Sequence, residues 1–172
     1  MNLDHLFLEL AFEDGDVKGI AAVRTDRKGK TLAASYQANR RLEDMWDGIS
    51  DAVLAPYAAK YVIVSQHARQ YREALTSVSL IGGKRGNPWL DISQLSWPLG
   101  FCDMLPDREF SSLCSHFGVR VDGAGTMTGN CEAMARVYWL MMTRYRTALL
   151  GEEAVRDFGG EALNKVRQWI GV

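Results

Sequence analysis

The spacing of apolar residues changes character near residue 40, and that change constrains the fold more than any other feature. Before residue 40 the apolar residues come in short runs broken by turn residues. Residues 5–12 (HLFLELAF) read as a strand closed by the turn-rich EDGD, and residues 18–24 (KGIAAVR) read as a second strand. DRKGK is a tight turn, and residues 31–39 (TLAASYQAN) complete a three-stranded antiparallel meander. The period then becomes helical. Leu42, Met45, Trp46, Ile49 and Val53 share one face of a helix expected to end near Pro56.

Beyond that helix the elements alternate. Residues 60–65 (KYVIVS) form a short, almost wholly apolar run, which suits a strand buried on both faces and paired parallel across a helical crossover. Residues 66–78 are expected to be helical, GGKRGNPW is a loop, and 89–95 (WLDISQL) are a last strand running into a helix. Residues 109–117 form a short helix that Gly118 terminates. A long helix begins at Gly129 with Ala133, Val137, Leu140 and Met141 on its core side, and 161–170 form a final helix. This order predicts an α/β fold in three layers. Its mixed five-stranded sheet combines the antiparallel N-terminal meander with parallel strands and is flanked by helices. The 172 residues contain no linker-like or low-complexity stretch, so residues 1–172 are expected to form a single domain.

Composition narrows the function classes. Hydrophobic residues make up 47% and charged residues 24%, ordinary values for a soluble globular domain. The net charge of −1 gives no global attraction to nucleic acid or acidic membranes, so any nucleic-acid contact must come from a local basic patch. Cys102, Cys114 and Cys131 are odd in number and form no CxxC pair, which argues for a reducing, cytoplasmic setting. The acidic N-terminal stretch does not read as a signal peptide. No apolar run approaches the roughly 18 residues needed to cross a bilayer, so no membrane association is expected.

Four strings then carry a resemblance. VIVSQHARQYREAL, PWLDISQL, LPDREFSSLCSHFGV and GTMTGNCEAMARVYWLMM stand in the order and spacing of motif segments in the DnaQ-like (DEDD) 3′–5′ exonuclease family of the ribonuclease H-like superfamily. The chain is similar to that family over about residues 5–148. The resemblance implies a ribonuclease H-like fold and a hydrolytic centre in which four carboxylates from three motifs hold two Mg²⁺ or Mn²⁺ ions, with a His or Tyr as general base. Carried over position by position, Glu9 stands at the first-motif Asp and Ala11 at the first-motif Glu. The second-motif Asp falls on Arg72, or on Tyr71 if the loop is one residue shorter. Asn130 stands at the third-motif Asp, Gly125 at the His-type base and Thr126 at the Tyr-type base. Glu9 is the one carboxylate left, and Asn130 is a neutral, poorer ligand. Glu13, Asp14, Asp16 and Asp122 lie off the family positions.

The pattern thus keeps its packing residues and loses its chemical ones. The resemblance implies a nucleic-acid-associated protein without catalytic activity and without a cofactor, acting by binding single-stranded DNA or RNA or a protein partner. Two alternatives stay open: an active, divergent exonuclease using Mg or Mn, and a protein-interaction module such as a homodimer or accessory subunit. Within the site, Glu9 is expected either to pair with a nearby arginine, Arg72, whose charge would take a metal's place, or to point to solvent from its strand. His67 reads as a cap or surface residue rather than a base, and His5 and His116 show no ligand spacing. Lys84, Arg85 and Trp89, with Arg72 and His67, are the candidates for contacting nucleic acid. The plain alternative is a solvated loop with Trp89 packed beneath it. Trp46, Trp139, Trp169, Met141 and Met142 read as packing residues.

Overall fold

The computed structural model describes residues 4–26, 29–54, 61–77, 87–96, 105, 107, 109–121 and 126–154. The elements run β1 (Asp4–Glu13), β2 (Asp16–Thr25), β3 (Thr31–Ala38), α1 (Leu42–Ile49), β4 (Tyr61–Ser65), α2 (Ala68–Ser77), β5 (Trp89–Asp91), α3 (Ile92–Leu95), α4 (Phe110–Phe117) and α5 (Met127–Ala154). A π-helical turn, Ser50–Leu54, prolongs α1. The strands lie in the order β3-β2-β1-β4-β5. The first three pair antiparallel, β4 runs parallel to β1, and β5 runs parallel to β4. The mixed five-stranded sheet expected from the period change is the sheet that forms.

Local chemistry explains the meander. Asp14 and Gly15 both take left-handed backbone angles, φ 51° and 86°, as a two-residue hairpin turn requires. β1 is central, and its alternation serves two cores. Leu6, Leu8 and Leu10 face the layer of α1 and α2, whereas Phe7 faces the layer of α3, α4 and α5. All four are fully or almost fully buried.

The end of the sheet is fastened by one carboxylate. Asp91 Oδ1 accepts from the Ser93 and Gln94 amides at 3.0 and 3.2 Å, and its Oδ2 accepts from the Ala68 amide at 3.3 Å. One side chain therefore caps α3 and α2 together and ties β5 to the start of α2. Asp91→Ala is expected to lower stability by about 1–4 kcal/mol, two caps at roughly 0.5–2 kcal/mol each. Urea denaturation measures it; a loss below about 0.5 kcal/mol would mean that solvent caps both helices equally well.

Two expectations need correcting. α5 starts at Met127 rather than Gly129, because Thr126 Oγ1 accepts the Gly129 amide at 3.1 Å and caps the first turn. Leu140 is not core but 39% exposed. The buried stripe of α5 runs through Cys131, Met134, Val137, Tyr138 and Met141, and Leu140 falls beside it. Trp46 and Met141 are buried as expected, while Trp139 and Met142 pack at the core's margin. Pro56, Cys102, Trp169 and the helix expected over 161–170 lie outside the described residues. Among the described residues no helix is long and apolar enough to cross a membrane.

Candidate functional site

The site arises where parallel pairing stops. β1 pairs with β4 from Asp4 opposite Tyr61 to Phe7 opposite Val64, and β4 ends at Ser65. β1 continues beside β2 to Glu13. Glu9 therefore stands two residues past the last β1–β4 pair, at the carboxyl end of the parallel strands, where α/β sheets open crevices. Alternation puts its side chain on the Phe7 face, beneath α5.

Glu9 is half-buried, and its Oε1 accepts a hydrogen bond from Asn130 Nδ2 at 3.0 Å. A carboxylate only accepts, so Asn130 must present its NH₂ side. Glu9 Oε2 is enclosed and has no hydrogen-bond partner. Burial pushes the Glu9 carboxyl above its ordinary range, partly offset by the Asn130 bond and by the charge of His67. The expected pair between Glu9 and Arg72 does not form. Ala68, Tyr71 and Leu75 are the buried positions of α2, which leaves Arg72 exposed on its outer side.

Of the two second-motif alternatives, Tyr71 is the residue beside Glu9. Its ring lies 6.0 Å from that of Phe12 and 5.8 Å from that of His67. Burial pushes its phenol up to about 12, a backbone hydrogen bond with Leu10 opposes this, and the Glu9 charge adds to it. His67 stands exposed at the start of α2, where its carbonyl accepts the Tyr71 amide at 3.0 Å. Ala11 lies on the Glu9 face opposite Gly19. Thr126 is a helix cap, while Gly125, Asp122, Lys84 and Arg85 lie outside the described residues. Glu13, Asp14 and Asp16 are exposed around the hairpin, and Asp16 meets Lys18 at 3.4 Å. Trp89 is half-buried against the α1–α2 layer on β5, two strands from Glu9. The fold thus gathers Glu9, Asn130, His67 and Tyr71, and leaves Arg72 and Trp89 apart. Among the described residues no group of three or more His, Cys, Asp or Glu is placed to hold a metal ion.

Tyr36 belongs to this end of the sheet, and nothing in the sequence alone marks it. Glu9 lies opposite Ala21, and Ala21 opposite Tyr36, so the three form one cross-strand row. Two strand spacings separate Tyr36 from Glu9, about 10 Å. Tyr36 is 53% exposed. The next row, Ala11, Gly19 and Ala38, is a shelf of small residues. A Cβ on Gly19 would lie 3.2 Å from Met127 Sδ and 3.5 Å from Tyr36 Cε2, so these two side chains wall the shelf. Alternation along β3 puts Leu32, Ala34 and Tyr36 on one face; which residue comes opposite Glu9 depends on register, which sequence leaves open.

No family model and no curated protein sequence matches the chain. Solved structures do. The nuclease domain of 3′hExo, a DEDDh family member, bound to rAMP, superposes with a TM-score of 0.57 at 12% identity over 82% of this chain and 92% of that one. The zinc-bound E. coli ExoI–ssDNA complex gives 0.63 at 11% identity, over 84% of this chain and 41% of that one. Exonuclease I in complex with the inhibitor BCBP gives 0.56 at 13% identity, over 84% and 43%. The chain spans nearly all of the first and less than half of exonuclease I. Likeness at such identity is likeness of fold: the chain has the ribonuclease H-like fold of the DEDDh 3′–5′ exonuclease domains.

Proposed function

We propose that this chain is a nucleic-acid-associated protein built on an exonuclease fold whose two-ion hydrolytic centre is lost, and that it acts by binding. The Glu9–Asn130 hydrogen bond is the observation that carries this reading. Two-ion phosphodiester hydrolysis needs several anionic oxygens around ions about 4 Å apart. Here one carboxylate faces an amide donor, Ala11 offers no ligand atom, and Tyr71 is a phenol kept neutral by burial. That donor set does not fit a pair of Mg²⁺ or Mn²⁺ ions, so no hydrolytic step is derived through them. Binding needs no cofactor.

The binding half of the proposal is supported by the Tyr36 shelf and by the rAMP and ssDNA held by proteins of this fold. An exposed aromatic ring beside a floor of small residues suits a stacked base. Fluorescence anisotropy with labelled single-stranded DNA and RNA, in EDTA at low salt, tests it. Saturable binding is expected, and Tyr36→Ala should weaken it by roughly 5- to 150-fold, the stacking energy of about 1–3 kcal/mol per base. Saturable binding left unchanged by Tyr36→Ala would remove the shelf from the interface. No binding to either strand would leave a protein partner as the reading to pursue. A rival reading, an active divergent exonuclease, is favoured by Glu9 Oε2, an enclosed oxygen whose lone pairs have no hydrogen-bond donor.

A further inference from the structure

The meander leaves β3 at the outer edge of the sheet, paired with β2 alone among the described strands. The Asn39 amide donates to the Lys18 carbonyl at 3.0 Å, which fixes the phase of that ladder. Backbone groups alternate in direction along an antiparallel strand. Ala33, Ser35 and Gln37 therefore turn theirs to β2, opposite Arg24, Ala22 and Ile20. Ala34, Tyr36 and Ala38 turn their N–H and C=O groups outward, along the open edge. Among the described residues no hydrogen bond reaches these outward groups.

The side chains of this edge are open to solvent too. Leu32 is 47% exposed, Tyr36 53%, and Ala34 between them is exposed as well. They stand on the face away from α1. Ala33 packs on the α1–α2 layer, and a Cβ on Gly48 of α1 would lie 2.9 Å from Gln37 Cδ. Edge strands are ordinarily kept from pairing by a lysine, a proline, an inward charge or a bulge. Residues 31–38, TLAASYQA, contain no charge and no proline. The one register shift, between Arg24 and Thr25, falls opposite the start of β3 and leaves Ala33 to Ala38 regular.

We propose that this edge pairs with β3 of a second copy of the chain, antiparallel about a two-fold axis through Ala34, so that one sheet runs across two subunits. Self-complementarity selects the occupant. Leu32, Ala34 and Tyr36 read large, small, large in both directions, as an antiparallel copy requires. In that register the outward groups of Ala34 meet those of Ala34 of the partner subunit. Tyr36 comes opposite Leu32 of the partner subunit, an aromatic ring against an apolar side chain at both ends of the contact. No like charges are opposed over residues 32–36, where they would repel. Pairing uses the backbone, so the Tyr36 ring still stands on the sheet face beside Gly19, and Leu32 of the partner subunit adds a wall to that shelf. The two Tyr36 positions lie about 14 Å apart, four residues along the strand and one spacing across. A contact of five residues a side falls short of the roughly 1,200–2,000 Å² of a standard interface, so the dimer is a reversible one.

Sedimentation velocity of the full chain over a range of concentrations tests this. The wild type should pass from monomer to dimer as concentration rises. Ala34→Pro removes an outward N–H while sparing the β2 ladder, a substitution that edge strands accept. It should raise the dimer dissociation constant roughly 5- to 150-fold, for two hydrogen bonds lost per dimer. Ala34→Glu and Ala34→Lys each set two like charges opposite one another on the axis, and each alone should stay monomeric where the wild type is dimeric. Mixed in equal amounts, the two should pair with each other, which separates lost pairing from damage to the fold. Failure of the mixture to pair overturns the axis through Ala34. A wild type that is monomeric at its highest soluble concentration overturns the proposal and leaves the edge to an extended segment of another protein. A dimer that all three variants leave intact overturns it too, because its interface then lies elsewhere. None of these outcomes bears on the nucleic-acid reading, which the proposal does not need.

Discussion

Asn130→Asp is expected to destabilise the fold by about 1–3 kcal/mol at pH 7 and to make its stability strongly pH-dependent. The substitution removes the donor 3.0 Å from Glu9 and puts a second carboxyl in its place, beside an oxygen that already lacks a partner. Burial already holds the Glu9 carboxyl above its ordinary 4.5. Two carboxyls at such a distance share one proton, so one of them is raised further. The sign follows from linkage. A carboxyl raised in the folded state binds a proton that the unfolded chain has released, so the folded state is favoured at low pH and loses ground as pH rises through the raised value. The variant should therefore approach wild-type stability near pH 4 and fall furthest below it near pH 7. Thermal melts across that range measure the effect, and added Mn²⁺ should recover part of the loss in the variant while leaving the wild type unmoved. Equal stability of the two proteins at pH 7 would mean that the Glu9–Asn130 bond holds nothing together.

The second large effect belongs to the centre of the sheet. Phe7→Ala should cost about 3–5 kcal/mol, out of the roughly 5–15 kcal/mol that stabilises a domain. Phe7 is fully buried on the central strand, with Val23 and Val64 opposite it on the two neighbouring strands. The ring of Tyr138 meets it edge-on at 5.6 Å, and Tyr138 in turn bonds His5 Nε2 at 3.0 Å. Truncation would leave a cavity between neighbours on β2, β4 and α5. A lower urea midpoint with an unchanged m-value would report this. A loss under about 1 kcal/mol would mean that α5 does not close on β1 as described.

How much of this was legible from sequence depended on the range of the interaction. The meander was legible because alternation and the Asp14–Gly15 turn are local signals. The crossover strand was legible because Val62, Ile63 and Val64 are buried on both faces, which leaves an unbroken apolar run. The face of α2 was within reach too: Ala68, Tyr71 and Leu75 follow the helical period and set Arg72 outside, but motif alignment alone left a one-residue ambiguity. The partner of Glu9 was not legible. Asn130 lies 121 residues away and meets Glu9 only because α5 crosses β1 at that height. Leu140 failed for a similar reason, since its apolar character fits the stripe while the buried positions of α5 run beside it through Val137, Tyr138 and Met141. Asp91, within the PWLDISQL string, is a double helix cap, a role visible only once β5 and α2 are adjacent.

The loss of the two-ion centre from this exonuclease fold is read out by a nuclease time course on 5′-labelled single-stranded DNA and RNA with Mg²⁺ or Mn²⁺ and an EDTA control. Strands should keep their length at high protein concentration. Stepwise shortening from the 3′ end, lost in EDTA and in Glu9→Ala, would contradict it and make Glu9 the ligand of a working metal site.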